Sequence, residues 1–144
     1  MNNITYKYRI YPTKKQIHTM NNILNECRWL YNYFLAERKD SWEKNHKSTS
    51  SYDQINSLIS LKKERPSLSI VHSQVLQNVA IRMDLAFKSF FRRIKNGEKP
   101  GYPRFRGIGW YNSFTYPQMT NRCIDKNLLK FGKISVSISI RFEV

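Results

Sequence analysis

The hydrophobic pattern of this chain changes period twice, and that double switch limits the folds open to it. From Ile4 to Tyr11 the residues alternate, with Ile4, Tyr6, Tyr8 and Ile10 on one face and Thr5, Lys7, Arg9 and Tyr11 on the other. Such alternation predicts a half-buried strand with a basic outer face. Pro12 ends it, and Thr13 with Gln16 forms a capping box for a helix. Over the next eighty or so residues the apolar positions recur every three or four, the helical period. After Gly97 the pattern breaks down among Pro100, Gly101, Pro103, Gly107 and Gly109. It then resumes as alternation, with Val136, Ile138, Ile140 and Phe142 facing one way.

Three helices are predicted inside the middle stretch. The first runs from Lys14 into the low forties on a stripe of Ile17, Met20, Leu24, Cys27, Tyr31 and Phe34. A polar loop over 45–51 leads to a second capping box, Ser51 with Gln54. A shorter helix follows, carrying Ile55, Leu58, Ile59 and Lys62, and Pro66 stops it. The third spans Ser73 to Lys95 along Leu76, Val79, Ala80, Met83, Phe87, Phe90 and Ile94, with Gly97 placed as its C-cap glycine. Strand-like pieces are expected at 113–116, 122–124 and 128–131, with a hairpin around Gly132. The predicted class is α+β: a small sheet or barrel with a three-helix insertion after its first strand. Residues 1–12 and 98–144 would form the β part, and residues 13–97 the insertion.

Lys and Arg total 25 against 10 acidic residues, a net charge of +15 with a pI near 10.0. That imbalance is the electrostatic footprint of a nucleic-acid binder. No apolar run is long enough to span a bilayer, and the N-terminus lacks a signal-peptide core. A cytoplasmic protein is expected, nucleoid-associated in a bacterium. Cys27 and Cys123 stand alone, without the C-x-x-C pairing of a zinc site, and read as buried thiols. His18, His46 and His72 are scattered, as expected of surface or boundary positions. The acidic residues are dispersed, and Glu26, Glu37, Asp40 and Glu43 read as charges on a solvated helix face. No nucleophile–base arrangement or phosphate loop is recognisable. The expectation is no catalytic residue, no metal and no cofactor.

Basic and aromatic residues interleave in the short, proline-stiffened stretch Lys99-Pro100-Gly101-Tyr102-Pro103-Arg104-Phe105-Arg106-Gly107, and Trp110, Tyr111 and Phe114 continue the pattern. Guanidinium groups fork onto phosphates, and rings stack on bases. For Phe105 and Phe114 a core-plugging role is the stronger expectation. Lys7, Arg9, Arg92, Arg93, Arg104 and Arg106 are the candidate phosphate contacts.

Several blocks, in order, resemble the N-terminal part of TnpB (OrfB), the transposon-associated RNA-guided DNA nuclease family related to type V CRISPR effectors. They are Tyr8-Arg9-Ile10-Tyr11-Pro12, Arg28-Trp29-Leu30-Tyr31-Asn32-Tyr33-Phe34-Leu35, Ser73-Gln74-Val75-Leu76-Gln77, Ala86-Phe87-Lys88-Ser89-Phe90-Phe91, Gly101-Tyr102-Pro103-Arg104-Phe105 and Ser113-Phe114-Thr115-Tyr116-Pro117-Gln118. Leu128 to Ile134 adds to them. The resemblance implies a wedge-type β-barrel interrupted by a helical recognition insertion. In such proteins this region grips a guide RNA scaffold and the double-stranded DNA beside the target, while base pairing supplies sequence choice. It also implies that Tyr52, Ser73 and Gln77 face the flanking DNA, with Thr115 and Tyr116 on a neighbouring strand edge. Gln77 is suited to reading an adenine edge, and a helix-cap role for Ser73 stands beside the DNA-facing one. The family's RuvC-like nuclease domain and zinc ribbon would lie beyond Val144, so a truncated form without cleavage is expected. A subunit completed in trans by a RuvC-bearing chain, and a remnant that binds polyanions only through charge, are the alternatives.

Overall fold

A computed structural model describes residues 3–118 and 123–139. The order of elements is β1 (Arg9–Tyr11), α1 (Lys14–Asn45), α2 (Ser51–Glu64), a 3-10 turn (Pro66–Ile70), α3 (Ser73–Lys95), β2 (Ile124–Asp125), β3 (Leu128–Phe131) and β4 (Ile134–Ser139). The chain is thus α+β, and it divides into two compact units: residues 1–21 with 118–144, and residues 22–117.

In the first unit the four strands form an antiparallel sheet of order β1-β4-β3-β2. The strand that precedes the helices pairs with the last one, Arg9 opposite Ser139 and Tyr11 opposite Ser137. The helical stretch therefore interrupts a sheet that closes around it in sequence. Gly132 at φ 56° makes the expected hairpin, bringing Phe131 opposite Ile134. The Thr13–Gln16 box is present, the Thr13 amide donating to Gln16 Oε1 at 2.9 Å and the Gln16 amide to Thr13 Oγ1 at 3.3 Å. Gln16 also reaches the sheet, its Nε2 donating to the Ser135 carbonyl.

The N-terminal strand is shorter than its alternation predicts. Only Arg9–Tyr11 pair, and Ile4 and Tyr6 are 72% and 71% exposed rather than half-buried. Alternation fixes which side chains share a face. Among the described residues no strand pairs with residues 3–8, so none of them extends the ladder or covers that face. Ile140, Arg141 and Phe142 of the predicted last strand, and Arg122 of the middle one, lie outside the described residues.

In the second unit α1 buries Ile23, Cys27, Leu30, Tyr31, Phe34 and Leu35, a stripe at the three–four spacing. It is rotated slightly from the predicted one, since Leu24 is only half-buried. Leu58 and Leu61 of α2, Leu68 and Val71 of the 3-10 turn and its end, and Val75, Leu76, Val79, Ala80 and Met83 of α3 complete this core. Burial of each such Leu, Val or Phe contributes about 1.5–3 kcal/mol before entropic costs. Helix α3 occupies the predicted span and ends in a Schellman motif. The Glu98 amide donates to Arg93 O and the Gly97 amide to Ile94 O, with Gly97 at φ 71°.

Several local predictions need correction. The second capping box uses Ser50 and Asp53, one residue earlier than predicted. Gln54 is instead wholly buried, accepting from Arg38 Nε and donating to the Phe34 carbonyl, both at 3.0 Å. Ile59, placed on the apolar stripe, is 72% exposed, and Leu61 takes the buried place. Glu26 is not a solvated-face charge, because Arg65 grips both its oxygens at 2.9 and 3.2 Å.

Candidate nucleic-acid interface

The glycine- and proline-rich stretch after α3 has no regular structure from residue 98 to 116, so its backbone polar groups need partners from elsewhere. Side chains of α1 and α3 supply them. Asn32 Nδ2 donates to the Arg106 carbonyl at 2.9 Å, while the Arg106 amide donates to Asn32 Oδ1 at 2.7 Å. Arg28 Nη1 adds a bond to the same carbonyl at 3.3 Å. From α3, Arg82 donates to Ser113 O at 2.7 Å, Thr115 Oγ1 at 2.9 Å and Asn78 Oδ1 at 3.0 Å. Residues 113–116, predicted as a strand, are therefore tethered by a guanidinium and pair with no neighbouring strand among the described residues.

Aromatic rings support both guanidiniums. Arg82 lies 5.4 Å from the Tyr111 ring centre and Arg106 lies 5.5 Å from that of Tyr31, while Tyr31 and Tyr111 are 5.9 Å apart. Tyr111 is buried, and burial pushes its hydroxyl up to about 12, so the phenol stays neutral. Burial likewise pushes the Cys27 thiol up to about 12 despite the opposing pull of Arg82. Cys27 is thus an inert core side chain, as expected. Cys123 is free but only half-buried. Trp110, by contrast, is 72% exposed and Phe105 54% exposed. The core-plugging expectation fails for Phe105, because neighbouring Arg106 is held to α1 by its backbone while the Phe105 ring remains mostly in solvent. Phe114 is half-buried and edges onto Tyr116.

A cavity of about 440 Å³ opens between α3 and this stretch, lined by Arg82, Ser89, Arg106, Trp110 and Asn112 over Tyr31 and Tyr111. Among the described residues no acidic side chain borders it. Among the described residues no three His, Cys, Asp or Glu side chains are grouped to hold a metal ion.

The predicted contacts fall into separate places. Lys7 and Arg9 belong to the sheet unit, both exposed, with Arg9 5.5 Å from the Tyr11 ring centre. In the helical unit, Ser73 and Gln77 sit one turn apart on the exposed face of α3's first turns. Tyr116 joins them there, while Thr115 is held to Arg82 further along α3. The Tyr116 ring packs 5.2 Å from His72, whose Nδ1 caps the helix by accepting the Gln74 amide at 3.1 Å. Ser73 is therefore not the cap, and its hydroxyl accepts from Lys62 Nζ at 3.2 Å. Tyr52, 71% exposed, stands at the other end of α2 from Lys62, about 15 Å along the helix. Arg92 and Arg93 occupy the last turn of α3, about 28 Å from Ser73. Arg104 and Arg106 are exposed on the tethered stretch. Arg28, Asn32 and Arg82 hold this stretch to α1 and α3, a tethering that the hydrophobic periodicity does not single out. The one local sign of Arg82 is an arginine four residues after Asn78 on a helix with few other interior charges.

An ordered basic stretch on a helical scaffold, in a chain of net charge +15, describes a nucleic-acid-binding protein. Residues 1–47 match a helix-turn-helix domain family of the OrfB/IS605 type. Over 115 residues, 78% of its length, the chain is 28% identical to InsQ of Escherichia coli (strain K12), which carries the name RNA-guided DNA endonuclease. The chain spans 27% of the length of that relative. These likenesses support its resemblance to the N-terminal region of the TnpB/OrfB proteins. No helix among the described residues is long and apolar enough to cross a membrane.

Proposed function

We propose that this chain binds a guide-type RNA scaffold and the double-stranded DNA flanking a target, as the recognition portion of a TnpB-like transposon-associated system, and does not itself cut. The observation that carries this reading is the tethered 99–107 stretch, which projects Arg104 and Arg106 from a backbone fixed to α1 at Asn32. Guanidiniums carried on a fixed backbone bind phosphate with less ordering cost than the same side chains on a free loop. Exposed Ser73 and Gln77 in the first turns of α3, with Thr115 held to Arg82 further along the helix, suit the flanking duplex, where helix N-termini and polar side chains reach phosphates and base edges. Such a protein works in the cytoplasm, on the nucleoid of a bacterium. The deciding experiment is sequencing of the RNA that copurifies with the chain expressed from its native locus. A discrete structured RNA encoded beside the gene is expected. A smear of unrelated cellular RNA would reduce the protein to a charge-driven polyanion binder.

A second reading has its own observation. Ile10 and Tyr11 are exposed on the edge strand of the sheet, and Ile4 and Tyr6 on the segment leading into it. An uncovered apolar edge invites a partner strand or chain. A separate RuvC-bearing chain would then complete a nuclease in trans. Residues 140–144, at the end of the last predicted strand, lie outside the described residues. Co-elution with a RuvC-bearing chain, together with cleavage that neither chain performs alone, is the expected result on this second reading.

A further inference from the structure

The cavity beside Trp110 has features that phosphate binding alone does not need. Its volume, about 440 Å³, falls within the range of ordinary small-ligand sites. Of its two guanidiniums, Arg82 is committed to the wall, donating to Asn78, Ser113 and Thr115. Arg106 is not: among the described residues its side chain has no hydrogen bond or ion pair, only the Tyr31 ring beneath it at 5.5 Å. That ring holds the guanidinium in place and leaves its donors open. Trp110 also lines the cavity. Its amide donates to Gly107 O at 3.1 Å, closing a tight turn in which Gly109 takes φ 81°. Its indole Cδ1 lies 3.5 Å from where a Gly107 side chain would begin. The indole thus passes beside Gly107 while 72% of the residue faces solvent. The Ser89 hydroxyl and Asn112 amide also line the cavity, supplying donors and acceptors without a carboxylate.

We infer that this cavity receives a single unstacked nucleotide of bound RNA, with the base on the Trp110 indole and the phosphate on Arg106. The inference rests on the nucleic-acid-binding reading above and narrows it to one subsite. An exposed indole at the cavity is a stacking platform, and each stacked base contributes enough for roughly a ten-fold effect on affinity. Asn112 and Ser89 can meet the polar edge of a base held there. The preference for RNA over duplex DNA follows from cost. Bases in RNA loops and bulges are already unstacked, whereas a duplex base must first be flipped out at a few kcal/mol.

The whole 144-residue chain would be titrated with a short single-stranded RNA of mixed sequence and with duplex DNA of the same sequence. Trp110→Leu should weaken RNA binding about ten-fold and leave duplex DNA within about two-fold, while Trp110→Phe, which keeps a ring, should stay near the parent. Ser89→Phe, which fills the cavity from the α3 side, should reproduce the Trp110→Leu loss and decides the matter alone if Trp110→Leu lowers the melting temperature. Equal losses on both ligands, or RNA binding unchanged in Trp110→Leu and Ser89→Phe, would overturn the assignment while the broader binding role stands. Failure of the parent chain to bind either ligand would remove that role and the subsite with it.

Discussion

Asn32 and Arg106, 74 positions apart in the chain, exchange two hydrogen bonds between one side-chain amide and the backbone N–H and C=O of one residue. The amide copies the donor–acceptor pair of a neighbouring strand, so an irregular segment gains the anchoring of a ladder without being in one. Replacing Asn32 by Ala leaves the Arg106 amide to water and its carbonyl to water or Arg28. The expected cost is about 1–2 kcal/mol of stability, read by urea unfolding. Nucleic-acid affinity should fall with it, although Asn32 itself need not touch the ligand. An Asn32→Ala protein of parental affinity would mean that the stretch is positioned by something else.

Arg104 and Arg106 project from that anchored backbone, and their work on phosphates is measurable through salt. Each phosphate left without its guanidinium should reduce the slope of log affinity against log salt by about 0.7–0.9. Arg104→Ala with Arg106→Ala should therefore flatten it by roughly 1.5 and weaken binding most at low salt. A slope that matches the parent's across the salt range would show that neither guanidinium meets a phosphate.

The core of the helical unit carries one buried charge cluster. Arg38, with its side chain only 8% exposed, donates to Gln54 of α2 and to Asp84 of α3, and its guanidinium lies 5.2 Å from the Phe87 ring centre. Burial pushes the Asp84 carboxyl up, but hydrogen bonds and charge from Lys88, at 3.0 Å, and from Arg38 outweigh it and hold the group below its ordinary range. A carboxyl depressed on folding stabilises the native state above its unfolded pKa near 3.8 and loses that contribution as pH falls through the folded value. Acid titration of the parent should thus show stability falling from about pH 4 downward. Asp84→Asn should remove part of that dependence and cost about 2 kcal/mol near neutrality, since it leaves a buried guanidinium with a weaker partner. If the acid limb of Asp84→Asn followed the parent's, the carboxylate would not be in this pairing.

What the sequence makes legible is what is local. Helix α3 is readable because its stripe, its Gly97 cap and its basic last turn all lie within one continuous segment. The Thr13–Gln16 box is readable for the same reason. The second box slips by one residue because Ser50 and Ser51 offer the same hydroxyl. Only the tertiary need for Gln54 as Arg38's partner decides between them. The strand predicted at 113–116 carries real extended propensity, but its partner is an arginine some 30 positions away, and such pairings leave no period in the sequence. The same holds for the cavity. Trp110 and Arg106 are visible as a basic–aromatic pattern, while Asn32, Arg28 and Arg82, which hold that pattern in place, sit on helix faces where any polar residue would fit the stripe.

Arg82 offers the sharpest separation of scaffold from contact. Three of its nitrogens donate to three acceptors, Asn78, Ser113 and Thr115, a planar fork that the single ammonium of lysine cannot reproduce. Arg82→Lys keeps the charge and the helix but should release residues 113–116. Limited proteolysis would then cut near Ser113–Tyr116 several-fold faster than in the parent, because cleavage tracks the population of the opened segment. Far-UV circular dichroism should change little, since α3 keeps its cap at His72 and its Schellman end at Gly97. Binding of duplex DNA should drop with the loss of a fixed Thr115, even though lysine preserves the net charge. If Arg82→Lys resisted protease as the parent does and bound DNA as well, charge alone would account for the role of this position, and the tether would carry no function.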